Sequence, residues 1–139
     1  MTTRGERNNN PLNIDRTSQH WQGQDVAQVD PRFANFSDVV FDYREGARII
    51  REHYLQGRDT IDKIVVAWAP GNENDTGAYQ RDVAQHMGKD RGEHLNITRI
   101  VGDPSDLLPL LKALTWHENG EDIYADAVIQ HGMDLEITQ

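Results

Sequence analysis

The sequence predicts a mainly α-helical (α+β) protein: one domain over residues 1–139, with a small N-terminal β-hairpin. Three observations lead there. After residue 36 the apolar residues recur at three- and four-residue steps, as they do on the buried face of a helix. Residues 1–36 instead carry turn formers and scattered aromatics, with "PLNID", "HWQGQ" and "RFANF" as candidates for short strands. Finally, 139 residues suffice to bury one core without covalent staples, and there is no cysteine to make one.

Residues 1–36 are read as loops with the hairpin. From Ser37, a plausible N-cap, the stripe Phe36, Val40, Tyr43, Ala47, Ile50 and Tyr54 marks a helix that stops at Gly57. Thr60 caps a second helix. Its stripe of Ile61, Ile64, Val65 and Trp68 turns Trp68 inward, and it ends at Ala69-Pro70-Gly71. A polar loop follows, then a cap at Asp75 or Thr76 and a third helix through Met87 that closes on Gly88. "NITRIVG" fits a strand, and equally a loop that packs Ile97, Ile100 and Val101 inward. "DPSDLLPLLKALTWHENG" makes a fourth helix capped near Ser105. It tolerates Pro109 in its first turn, where N–H groups have no helical partner, and ends at Asn119-Gly120. A last short helix is expected through about Gln130, before His131-Gly132, with a fraying tail behind it.

Composition removes several function classes. Asp and Glu total 23 against 14 Lys and Arg, and a net charge of −9 disfavours a grip on nucleic acid or on an anionic membrane surface. The N-terminus is polar, and no apolar run approaches the roughly 18 residues of a spanning helix. Neither a signal peptide nor membrane insertion is therefore expected. The six histidines include no His-x-x-x-His pair, and the Asn72–Asp75 loop lacks the EF-hand spacing of acidic residues. No metal and no cofactor is expected. A phosphate-cradling glycine loop and a Gly-x-Ser-x-Gly elbow are both absent.

Glu118 follows Leu107, Leu111 and Leu114 on one stripe of the fourth helix, so its carboxylate is expected on the core side and mostly buried. It also sits in the last turn, where the helix dipole works against a negative charge. A carboxyl group placed so is suited to general-acid chemistry, although a terminal glutamate can equally bend into water. The other unusual feature is "RGERNNNPLNI", residues 4–14. Asparagines in such a turn either bond their own backbone or present amides, each donor and acceptor, to sugar hydroxyls and N-acetyl groups.

These segments, with "WQGQ", "RFANFSDVVFDYREGARIIREHY", "TIDKIVVAWAPGNENDTGAYQRDV" and "HENGEDIYADAVIQHGMDL", resemble a family of bacteriophage and prophage virion-associated proteins, related domains of which occur in bacterial toxins. The likeness covers nearly the whole chain. It departs at Glu6, where an aliphatic residue is expected, and at Leu12, where glycine is usual. That family in turn is similar to the lysozyme superfamily with its motifs in shifted order. "NNNPLNI" resembles a glucosaminidase segment, and "AWAPGNENDTGAYQRDV" resembles one of the soluble lytic transglycosylases. In those enzymes the helix bearing the catalytic glutamate comes before both segments, whereas here "LLKALTWHENG" follows them.

The resemblance implies a circularly rearranged lysozyme-like domain with Glu118 in the catalytic position; Glu6, a loop carboxylate at a position where the likeness departs, is the runner-up acid. It implies cleavage of peptidoglycan glycan strands, by a muramidase or a lytic transglycosylase. Asn9, Asn10, Asn13, Trp68, Asn72 and Tyr79 would form the sugar site, and Glu118 would lie across a cleft from the Asn8–Asn13 turn. Implied partners are the glycan strands, other virion proteins, or an inhibitor (immunity) protein in the case of an injected antibacterial toxin. The implied location is the phage virion, or the bacterial cytoplasm before delivery to the periplasm. The alternative is a non-enzymatic virion or adaptor protein that retains the fold.

Overall fold

Helices carry the chain in the computed structural model, which describes residues 2–69 and 75–138. In order these are α1 (Arg4–Arg7), α2 (Val39–Leu55), α3 (Ile61–Trp68), α4 (Thr76–Met87), α5 (Leu107–Asn119) and α6 (Asp126–Thr138). The fold is mainly α, as the periodicity requires.

Local chemistry starts and stops the central helices. Asp38, one residue after the expected cap, begins α2 by accepting a hydrogen bond from Val40 N. Thr60 begins α3 by accepting from Lys63 N, and Asp75 begins α4 by accepting from Ala78 N. Left-handed Gly88 and Gly120, at φ 67° and 81°, end α4 and α5. The Tyr43 hydroxyl ties α2 to α5: it lies 2.7 Å from Thr115 Oγ1, which in turn donates to the Leu111 carbonyl. Leu12 fills the space over Gly46, where an added Cβ would come 2.4 Å from Leu12 Cδ1.

Three expectations need correction. The last helix does not end at Gln130; α6 runs through His131-Gly132 to Thr138. Gly132 lies where α6 crosses α2, and a Cβ there would meet Tyr43 Cβ at 2.5 Å and the Val40 carbonyl at 2.7 Å. That glycine serves close helix packing, and is not a stop. In the "NITRIVG" segment Ile97 is buried, but Ile100 and Val101 are 52% and 59% exposed. Buried Arg51 draws this loop toward α2 and α6 by its polar atoms, bonding the Thr98 carbonyl, Asp103 and Glu136.

The third correction concerns residues 1–36. They begin with α1, which a Thr3/Glu6 capping box stabilises. Where a hairpin was expected, the described residues form only isolated antiparallel bridges, Asp15 to Phe33 and Gln24 to Phe36. Amide side chains replace the missing ladder. Asn10 Nδ2 donates to the carbonyls of Ile14 and Ala34, while its Oδ1 accepts from Ile14 N.

Candidate functional site

Asn9 and Asn13 both adopt left-handed backbone conformations, at φ 50° and 51°, which asparagine tolerates better than other residues with a Cβ. The turn they shape meets the end of α5. Asn13 Nδ2 donates to Glu118 Oε1 at 2.8 Å, across 105 residues of chain. Beside it, Asn119 donates to the carbonyls of Pro11 and Thr115 and accepts from the Thr3 hydroxyl. Gly5 makes room for this contact, since a Cβ there would come 2.7 Å from Asn119 Oδ1. Motifs at opposite ends of the chain thus form one polar junction.

Asn13 also lines an open cleft of about 230 Å³. Its walls include Trp21 and Trp68, Ile49 from α2, and the polar side chains of Asp15, Thr17 and His53. Trp21 is buried, but half-buried Trp68 beside these hydrogen-bonding groups offers a face on which a neutral polar ring can stack. His53 accepts from Arg58 through Nδ1 at 3.0 Å when neutral. Burial first, and then the Arg58 charge, pushes its pKa down, which favours that neutral form. Asp15 is exposed and paired with Arg32 at 2.7 Å.

On the other side of Glu118, α4 packs against α5. Tyr79 is buried, and its hydroxyl faces Glu118 and Trp68 but makes no hydrogen bond of standard geometry. Its pKa is raised well above the ordinary phenol value, by burial first and then by the Glu118 charge. The phenol therefore stays protonated. Its ring stacks on His117 with centroids 3.6 Å apart.

The expected site residues thus divide. Asn13, Trp68, Tyr79 and Glu118 converge, although Glu118 is half-buried where the stripe suggests a mostly buried side chain. Tyr79, with its hydroxyl sealed from solvent, can touch Glu118 but not a sugar in the cleft. Asn9 donates to the Phe36 carbonyl, and wholly buried Asn10 has its amide engaged by the backbone. Asn8 joins a buried network with Asp30 and Asn35. Arg4 grips Asp30 through two 2.7 Å bonds and holds its carboxyl far below the usual range, against the opposing effect of burial. Glu6 Oε1 accepts from Thr3 N in the capping box. Asn72 lies outside the described residues.

His53, Asn119 and the Asp82–His117 pair escaped the sequence reading. For Asn119 a signal existed, because the residue ends a helix beside the candidate acid. Among the described residues, no group of three or more His, Asp or Glu is arranged to hold a metal ion. No helix there is long and apolar enough to cross a membrane.

No family model matches the chain. Over 135 residues it is 36% identical to Protein P5 of Pseudoalteromonas phage PM2, in an alignment covering 94% of this chain and 80% of that protein. The chain belongs to the family of this phage protein.

Proposed function

We propose that this P5-family protein is a virion-associated, lysozyme-like enzyme that cleaves peptidoglycan glycan strands, with Glu118 as the general acid. The observation that carries the reading is the Asn13–Glu118 hydrogen bond, which joins the helix-ending glutamate to a residue lining an aromatic-walled cleft. Asn13 holds Oε1, leaving Oε2 to carry the proton toward a glycosidic oxygen. Half-buried Trp68 supplies a stacking face for a sugar ring, while buried Trp21 lines the same cleft from the core side.

Two routes share that first step. A hydrolase uses a second carboxylate to activate water or to stabilise the cation, whereas a lytic transglycosylase lets the muramic C6 hydroxyl attack. Glu6 and Asp75 are engaged in capping helices, while Asp15 stands in the cleft wall. Glu73 lies outside the described residues; of the three described carboxylates, Asp15 is the one we assign to a hydrolytic route. The net charge of −9 favours a second reading, a virion protein that keeps the fold without cleaving, because wall polymers are anionic.

Mass analysis of muropeptides after incubation with purified peptidoglycan tests the proposal. Anhydromuramic ends establish a transglycosylase and reducing ends a hydrolase, and either should disappear in Glu118→Gln. Intact glycan after incubation with the folded wild-type protein would establish the non-enzymatic reading.

A further inference from the structure

Tyr79 poses a mechanical question. Its hydroxyl is buried beside Glu118 with no hydrogen bond of standard geometry to fix it, so the position of that O–H depends on what holds the ring. One face of the ring lies against the His117 imidazole, with centroids 3.6 Å apart and planes 24° from parallel. The imidazole is itself restrained, because His117 Nδ1 donates to Asp82 Oδ2 at 3.0 Å. Asp82 lies three residues after Tyr79 on α4, close enough for both to act on one side of that helix. His117 immediately precedes Glu118 on α5. The stack and the hydrogen bond therefore close a loop from α4 to α5 and back to the phenol.

We propose that the Asp82–His117 pair is a positioning device that clamps the Tyr79 ring and so holds its hydroxyl beside Glu118. The inference rests on the reading of Glu118 as the acid; neither His117 nor Asp82 need touch substrate. The fold supplies its own control one turn along α4. There His86 pairs with Asp122 at 3.2 Å and stacks on Trp116 with centroids 4.9 Å apart. This second pair ties α4 to the α5 region by the same chemistry, but its ring partner is not the phenol beside Glu118.

The test combines cleavage kinetics with NMR of the full chain carrying labelled tyrosine rings, of which there are four. In the wild type the clamped Tyr79 ring should flip slowly and give separate signals for its two edges. His117→Ala should average those signals and lower kcat roughly ten- to a hundredfold while KM stays within about twofold, the signature of a displaced group that acts in the transition state. Asp82→Ala should move both readouts the same way by less. His117→Phe, which keeps a flat face against the ring, should restore slow flipping and most of kcat. His86→Ala should lower the melting temperature and leave both readouts at wild-type values. Unchanged ring flipping and kcat in His117→Ala would overturn the proposal, as would His86→Ala reproducing the His117→Ala pattern. If the wild type cleaves nothing, the glycosidase reading fails, and the ring-flip comparison still decides whether the clamp exists.

Discussion

Replacing Asn10 by alanine should destabilise the whole fold rather than weaken a ligand contact. Asn10 is wholly buried, and its amide bonds the carbonyls of Ile14 and Ala34 at 3.0 and 2.9 Å while its oxygen accepts from Ile14 N at 2.9 Å. The Ile14 carbonyl keeps a second partner, Ala34 N. The truncation thus takes the side-chain partner from two buried backbone groups, Ile14 N–H and the Ala34 carbonyl. At about 1–3 kcal/mol for each unsatisfied group, the cost is about 2–6 kcal/mol. Total stabilities are about 5–15 kcal/mol, so this is a large fraction. The assay is urea unfolding at matched temperature, with thermal melting as a check. The midpoint should fall at near-constant slope, and the melting temperature should drop by roughly 10 °C or more. An Asn10→Ala protein that melts within a degree of wild type while losing glycan binding would refute the argument and return Asn10 to the sugar site.

Three further outcomes are expected. Asp42 is wholly buried, and its folded pKa is raised well above the ordinary value, by burial first. Its stabilising contribution is therefore full below the unfolded pKa of about 3.9 and lost as pH rises through the folded one. Asp42→Asn should gain stability relative to wild type as pH rises, so a melting-temperature difference that stays constant from pH 4 to pH 8 would contradict this assignment. Gly132→Ala forces a methyl against Tyr43 and the Val40 backbone, and calorimetry should show a loss of about 1–3 kcal/mol, the cost of overpacking. Glu6→Gln preserves the capping acceptor and should leave cleavage within a few-fold of wild type; Glu6→Ala keeps the Thr3 cap but loses the reciprocal bond from Thr3 N, and should cost about 0.5–1.5 kcal/mol, read from urea midpoints.

What the sequence determined by itself is whatever a few neighbouring residues decide. The starts of α3 and α4 at Thr60 and Asp75, and the stops at Gly88 and Gly120, depend on orphan backbone groups satisfied within three or four residues, and so they are readable along the chain. The mainly helical class follows from the same short-range periodicity. Tertiary structure decided the rest. Gly132 reads as a stop in isolation, and only the crossing of α2 shows that it is a contact. The asparagines looked alike in the sequence. Asn8, Asn9 and Asn10 proved to bond partners as far as 27 residues away inside the N-terminal segment, while Asn13 reaches Glu118. Glu118 was legible as a helix-ending carboxylate, but its half-burial, its bond to Asn13 and the Tyr79 ring held by His117 depend on which helices pack together. Periodicity records the preference of a residue for inside or outside. The identity of the group it meets there is set by the packing of distant segments, on which no local pattern reports.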